Sequence, residues 1–98
     1  MASNPKFSAI LKEMDAIHKK KGEDYADNDP YSNFIGAAHI ANCSVDIVFR
    51  VLIGIKLERL RVLLSDSSKT PNNESIQDSR IDLATYAALY AAYHSETP

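Results

Sequence analysis

The apolar positions of the chain repeat with helical spacing in separate segments. The first segment has a single apolar face, made of Phe7, Ile10, Leu11, Met14 and Ile17. Asn4 and Pro5 in front of it are typical of a helix start, and Gly22 behind it is typical of a helix end. The pattern therefore predicts a first helix that Asn4 caps and that stops at Gly22.

The other apolar segments predict three more helices. A short second helix spans about 34–41, with Ser32 or Asn33 as its cap, and a third spans about 45–64, with Ser44 as its cap. The third helix is the most apolar and should be the central one. Its first half is rich in β-branched residues, but it continues into good helix formers. A fourth helix spans about 74–94. The predicted fold class is all-α, a compact four-helix bundle-like domain with a long central apolar helix.

The remaining segments are polar. Residues 23–31 are rich in turn formers but also carry tyrosines and acids, which is more chemistry than a connector needs. Residues 65–73 lack any large apolar side chain, so we expect a mobile surface loop there. We also expect flexible ends at about 1–4 and 95–98. The chain of 98 residues has the usual size of one domain, so a single domain over 1–98 is predicted.

Composition and charge narrow the class of protein. The formal net charge of -2 gives no overall attraction to polymeric nucleic acid or to an anionic membrane. No segment has the apolar length of a secretory signal or of a membrane span. The single cysteine, Cys43, has no partner for a disulfide within the chain, which fits a reducing compartment. These features predict a soluble protein in the cytoplasm.

The fourth helix carries a row of side chains spaced four residues apart, so they share one helical face. The row consists of Glu74, Asp78, Asp82, Tyr86 and Tyr90. The residues expected to pack inward lie mostly off this row: Ile76, Leu83, Ala84, Ala87 and Ala91. The alanines of this helix also form a thin face suited to close helix packing within a subunit or between subunits. A homo-oligomer that pairs through alanine-rich faces is therefore expected.

Antiparallel packing of the third and fourth helices would bring Asp78 and Asp82 close to Lys56 and Arg59. One interpretation is a set of interhelical salt bridges. The other is a mixed-charge pocket, in which the basic residues receive phosphates and the aspartates hold a metal, water or sugar hydroxyls. The two aspartates could hold one Mg²⁺ together with phosphate oxygens, although a magnesium hydrolase would be expected to present more acids.

The aromatic residues allow two interpretations as well. The residues near the first loop are Tyr25, Tyr31 and Phe34, and those on the fourth helix are Tyr86, Tyr90 and Tyr93. They could pack in the core and at its rim, or they could stack on a base, with Asn33 supplying hydrogen bonds.

Three parts of the chain resemble a known family when they are read together. They are Lys21-Gly-Glu-Asp24-Tyr25 with Ser32-Asn33-Phe34, then Gly54-Ile-Lys56-Leu-Glu-Arg59-Leu, then the run from Glu74 to Ala87. Over about residues 17–90 the chain resembles small phage and prophage proteins grouped as nucleotide-modification-associated domains of the first type. That group is similar in turn to the MazG-type all-α nucleotide pyrophosphatases, which use magnesium held by two acidic pairs.

The resemblance implies a nucleotide-like ligand in the cytoplasm of an infected or lysogenic bacterial cell. Asp78 and Asp82 could correspond to one acidic pair, but Glu58 is followed three positions later by Arg61, so the second pair is missing. We therefore expect binding and sequestration of a cyclic or linear nucleotide signal, an anti-defence role, that requires no cofactor. The alternatives are a Mg²⁺-dependent pyrophosphatase, with Asp78 and Asp82 on the metal, and a structural or protein-binding helical module.

The expected ligand contacts follow from the motifs. Lys56 and Arg59 would contact phosphate, and Tyr25 or Phe34 would stack on the base. The full set of expected site residues is Lys21, Asp24, Tyr25, Asn33, Phe34, Lys56, Arg59, Asp78, Asp82 and Tyr86.

Overall fold

The computed structural model describes residues 2–22, 29–65 and 76–96, without the side chains of residues 21 and 22. These residues form four helices and no strand, so the predicted all-α fold class is confirmed. The helices are α1 (Pro5–Gly22), α2 (Ser32–Ala41), α3 (Val45–Ser65) and α4 (Ile76–Glu96).

The chain divides into two compact units, Met1–Ser32 and Asn33–Pro98, and each is described here by itself. The single domain and the flexible ends stay predictions. The predicted loop over 65–73 lies outside the described residues except for Ser65, which ends α3. α4 continues to Glu96, two residues beyond its predicted end, and the Ser95 hydroxyl donates to the Ala91 carbonyl at 3.0 Å.

The first unit contains α1 and the turn that follows the undescribed residues 23–28. The Phe7 amide donates to the Asn4 side-chain oxygen at 3.1 Å, so Asn4 caps α1 as predicted. Met14 is buried, whereas Phe7 is 60% exposed. The apolar face of α1 is thus only partly covered.

The start of α2 differs from the prediction that Ser32 or Asn33 caps it. Both residues are already helical. The Asp29 carboxylate accepts the Tyr31 amide at 2.9 Å, and the Asp29 carbonyl accepts the Ser32 amide at 3.1 Å. This turn around Pro30 leads the chain directly into the helix, because Asp29 bonds its own backbone two residues on.

The corner between α2 and α3 is specified by local hydrogen bonds. Asn42 adopts a left-handed backbone with φ of 54°. The Cys43 amide donates to the Ala38 carbonyl at 3.0 Å, and the Asn42 amide donates to the His39 carbonyl at 3.2 Å, which is a Schellman motif. The Ser44 hydroxyl then accepts the Ile47 amide at 3.2 Å and caps α3, as predicted.

In the second unit α3 and α4 pack antiparallel, since Asp46 at the start of α3 meets Tyr90 and Lys56 further along meets Asp82. The buried residues of this unit are Ala38, Val48, Phe49, Leu60, Ser79 and Ile81. α3 is the most apolar long helix, but only part of its surface is covered. Val51, Ile55, Leu57 and Leu64 are each more than half exposed.

The face that α4 turns toward α3 matches the prediction only in part. Ile76, Leu83 and Ala84 are half-buried, in line with their expected inward packing. Asp82, Tyr86 and Tyr90 are half-buried, whereas Ala87 and Ala91, expected to pack inward, are exposed. A tyrosine ring removes far more apolar area from water than an alanine methyl group, so burial of Tyr86 and Tyr90 is favoured over burial of Ala87 and Ala91.

Candidate functional site

An aromatic layer holds the second unit together. Phe49 of α3 is fully buried, and its ring centroid lies 4.5 Å from that of Phe34 on α2 and 5.3 Å from that of Tyr90 on α4. Tyr93 approaches the same ring at 6.0 Å, and the Tyr86 ring meets Phe34 edge-on at 6.5 Å. Phe34, which was expected either to pack or to stack on a base, packs one face on Phe49.

A half-buried ion pair lies on one side of this layer. The Lys56 ammonium is 2.9 Å from the Asp82 carboxylate, and their side chains are 17% and 31% exposed. Asp82 stands one helical turn before Tyr86, and Tyr86 contacts Phe34. These contacts bring four of the expected site residues into a continuous surface, which we call the Lys56 patch: Phe34, Lys56, Asp82 and Tyr86.

A second polar cluster lies at the other end of the same seam. Asp46, in the first turn of α3, accepts hydrogen bonds from the Tyr90 hydroxyl and from the Arg50 Nε, the latter at 2.7 Å. The His94 Nε2 lies 3.5 Å from the same carboxylate. The His94 ring is also edge-on to Tyr90 and Tyr93, at centroid distances of 5.2 and 5.3 Å.

The hydrogen bond between Tyr90 and Asp46 shifts the titration of both groups. It is the main reason that the pKa of Asp46 lies below its ordinary value, with Arg50 and His94 adding in the same direction and burial opposing them. It is also the main reason that the pKa of Tyr90 lies above its ordinary value, and burial adds to that rise. At neutral pH this cluster is therefore an ionised carboxylate that accepts a hydrogen bond from a neutral phenol.

The Asp46 cluster borders an open cleft of about 420 Å³. Its lining residues are Asp46, Ala87, Tyr90, Ala91 and His94. The exposed alanines of α4 leave the space, and the larger polar side chains form the walls. Among the lining residues, only Tyr90 was expected to take part in a site, by stacking on a base.

The other expected site residues lie outside the Lys56 patch. Asn33, Arg59 and Asp78 are exposed, and Asp78 lies one turn before Asp82. The nearby Arg61 pairs with Glu58 on its own helix at 2.6 Å. Asp24, Tyr25 and the Lys21 side chain lie outside the described residues.

The Asp46 cluster was not predicted, although the sequence held a signal for it. With Lys56 opposite Asp82, antiparallel helices of equal rise place the residue ten positions before Lys56 opposite the residue ten positions after Asp82. Asp46 then faces a point between Tyr90 and His94. The contact between Lys56 and Asp82 therefore predicts that Asp46 lies near Tyr90 and His94.

Asp78 and Asp82, the proposed magnesium ligands, stand one turn apart on α4, and one oxygen of Asp82 contacts the Lys56 ammonium. A site in which these two aspartates hold Mg²⁺ together with phosphate oxygens stays a prediction. Across residues 2–22, 29–65 and 76–96, no three His, Cys, Asp or Glu side chains are grouped so that they could hold an ion.

Comparisons with known proteins do not assign this chain to a family. No described helix is long and apolar enough to cross a membrane. No family model, curated protein or solved structure matches this chain. The resemblance to phage nucleotide-modification-associated proteins therefore stays a prediction from the motifs.

Proposed function

We propose that the protein binds a nucleotide-like small molecule at the Lys56 patch and sequesters it without chemistry. The observation that supports this proposal is the half-buried Lys56–Asp82 pair, whose aspartate stands one helical turn before Tyr86, the ring that contacts Phe34. A nucleotide needs a cation for phosphate, an aromatic surface for the base and acceptors for hydroxyl or amino groups. The patch supplies one group of each kind within a few side chains.

The patch has a specific electrostatic design for such a ligand. The Asp82 carboxylate orients the Lys56 ammonium at 2.9 Å and keeps it in place when no ligand is bound. Partial burial strengthens an added phosphate contact, because fewer water molecules compete for the ammonium. Asp82 can then accept hydrogen bonds from a ribose or a base amino group. Arg59, one turn after Lys56, would extend the phosphate contact.

The motif resemblance gives this proposal a biological setting. It implies a protein of an infected or lysogenic bacterial cell whose cargo is a cyclic or linear nucleotide immune signal. Sequestration needs affinity and no catalytic metal, which agrees with the missing second acidic pair at Glu58 and Arg61. A homo-oligomer would raise the binding capacity of each particle.

Isothermal titration against mono-, di- and cyclic nucleotides tests the proposal. We expect at least one ligand to bind the wild-type protein more tightly than about 1 mM. Lys56→Ala should weaken that ligand by about tenfold or more, because a charge-assisted contact to phosphate is lost. Lys19→Ala is the matched control, since Lys19 also pairs with an aspartate at 2.9 Å but is 73% exposed. Absence of any such binding across the panel would reject the proposal.

A structural or protein-binding module is the second candidate, and the Lys56–Asp82 contact favours it equally, because that module predicts an interhelical ion pair. The double variant Lys56→Asp, Asp82→Lys separates the two. Exchange of the charges should restore most of the stability that either single variant loses. Under the binding proposal the double variant still loses ligand affinity, because the cation has moved to the other helix.

Magnesium-dependent hydrolysis is examined in the same samples. The ligand is incubated with protein and Mg²⁺ and then recovered after denaturation. Intact ligand supports sequestration. Phosphate-containing products that disappear in the Asp82→Asn variant would instead assign the pyrophosphatase activity.

A further inference from the structure

The side of α3 that points away from Lys56 is an exposed surface of mixed character. At about 100° of rotation per residue, its members all lie within about 60° of the direction of Gly54. Val51 is 54% exposed and Leu57 is 52% exposed. We call this surface the outer face of α3, and it consists of Ile47, Arg50, Val51, Gly54, Leu57, Glu58 and Arg61.

The outer face is self-complementary about Gly54. Arg50 lies four residues before the glycine and Glu58 lies four residues after it, so opposite charges stand at equal distances. Val51 and Leu57, three residues to each side, are both apolar. A two-fold axis that passes between the Gly54 residues of two antiparallel copies brings Arg50 of one copy level with Glu58 of the other, and Val51 level with Leu57.

Gly54 itself is not required by the fold of the single chain. A Cβ atom built at this position meets nothing within 4 Å, and the residue has a helical backbone. Glycine inside a helix lowers helix stability relative to alanine. A missing side chain at the centre of the surface does, however, allow a second helix to approach closely.

We propose that two copies of this chain pair antiparallel through the outer face of α3, with Gly54 at the crossing point. Closed two-fold dimers use the same patch on both subunits, which is the symmetry that this face has. Each Arg50 would meet the Glu58 of the other copy. Each Val51 would meet the opposite Leu57, so apolar area is buried between two charge pairs.

The flanking residues agree with this pairing. Ile47 and Arg61 lie seven residues to either side of Gly54, and the aliphatic stem of an arginine can cover an isoleucine while its guanidinium stays in water. Within one chain Arg50 pairs with Asp46 and Glu58 pairs with Arg61, and the Arg50 and Glu58 side chains are 62% and 60% exposed. Exposed pairs of this kind are weak, so they can be shared with a partner.

The proposed dimer goes beyond the proposed ligand binding and is independent of it. Lys56 lies about 160° around α3 from Gly54. The Lys56 patch therefore remains accessible in the dimer. Loss of the dimer and loss of ligand binding are distinguishable, because each is measured with its own variants.

Sedimentation velocity over roughly three decades of concentration around micromolar tests the proposal. We expect a concentration-dependent dimer for the wild-type protein. Arg50→Glu and Glu58→Arg should each weaken the dimer by about tenfold or more, since each places like charges together twice across the two-fold axis. The double variant Arg50→Glu, Glu58→Arg restores opposite charges and should recover the dimer to within about threefold.

Lys19→Glu is the matched control, because it breaks an exposed pair of the same i,i+4 spacing with the same change of charge. It should leave the dimer unchanged. A wild-type protein that is monomeric throughout, or a double variant that stays as weak as the single variants, would overturn the proposal.

A steric test is independent of charge. Gly54→Leu should remain helical, because the position has open space in the single chain. It should nevertheless be monomeric, because the leucine occupies the crossing point. Circular dichroism verifies that the variant folds. A folded Gly54→Leu variant that dimerises like the wild type would reject this face and leave the exposed alanine face of α4 as the interface.

Discussion

Each end of the seam between α3 and α4 pairs a carboxylate of one helix with donors of the other. The two ends differ in which helix supplies the carboxylate. At one end a carboxylate on α3, Asp46, receives the Tyr90 hydroxyl and the His94 ring from α4. At the other end a carboxylate on α4, Asp82, receives the Lys56 ammonium from α3. The first end borders a cleft at a helix terminus, and the second lies within both helices.

The difference concerns how many donors each carboxylate has. Asp46 also accepts a hydrogen bond from Arg50 at 2.7 Å, so removal of one donor leaves others in place. Asp82 has Lys56 as its described partner, and these two side chains are less exposed than those of Arg50 and Asp46. The Asp46 end should therefore resist substitution, whereas the Lys56 end should be sensitive to it. A site that uses Lys56 for a ligand must also keep this contact for the fold.

The largest loss of stability is expected for a substitution in the aromatic layer between the two helices. Phe49 is fully buried between them and contacts Phe34, Tyr90 and Tyr93. Phe49→Ala should lower the free energy of unfolding by about 3–5 kcal/mol, through lost burial and a cavity. Chemical denaturation followed by circular dichroism measures the change.

Phe7→Ala provides the control for that substitution, since Phe7 is 60% exposed and should change stability by no more than about 0.5 kcal/mol. Equal losses for the two variants would contradict the central role of Phe49.

A smaller effect is expected at the Lys56 end. Asp82→Asn removes the charge opposite a half-buried ammonium and should lower the free energy of unfolding by about 1–2 kcal/mol. Asp15→Asn is the control, because its pair with Lys19 is exposed on both sides and should contribute less than about 0.5 kcal/mol. If Asp15→Asn costs as much as Asp82→Asn, partial burial does not distinguish these ion pairs.

The smallest effect is expected for Tyr90→Phe, and it should depend on pH. The lowered pKa of Asp46 adds stability above the ordinary carboxyl value of about 4, and this stability is lost as pH falls through the folded-state pKa. The raised pKa of Tyr90 adds stability below the ordinary phenol value of about 10, and it is lost as pH rises through the folded-state pKa.

The two effects share one hydrogen bond, so Tyr90→Phe removes both. The difference in unfolding free energy between wild type and Tyr90→Phe should be constant between about pH 5 and 9 and shrink on either side. Urea titrations across pH measure it, and Arg50 and His94 are present in both proteins. A difference that stays constant in acid would show that the hydroxyl does not act through Asp46.

Much of the fold was predictable because its signals are local. Asn4 and Ser44 cap their helices through atoms three residues away, so the sequence contains the whole interaction. The approach of Lys56 to Asp82 was expected because opposite charges on antiparallel helices attract. The start of α2 was misplaced because the Asp29 side chain forms a turn that competes with the caps at Ser32 and Asn33.

The orientation of α4 could not be read from α4 alone. Its tyrosine row and its alanine row both have helical spacing, and the choice depends on the ring of Phe49 across the seam. The role of Asp46 is hidden in the sequence for a related reason. The helix dipole favours an acidic residue in the first turn of α3, so the identity of Asp46 does not by itself indicate a partner on α4.

The corner at Asn42 restricts which sequences can share this arrangement. Its left-handed backbone disfavours β-branched residues and accepts glycine or asparagine. Two residues later the Ser44 position needs a short side chain that accepts the Ile47 amide. Asp46, two residues further, must reach Tyr90. These requirements define a signature by which distant relatives can be recognised. It has glycine or asparagine, a cap residue and an acid at alternate positions, and then a tyrosine and a histidine four residues apart on the last helix.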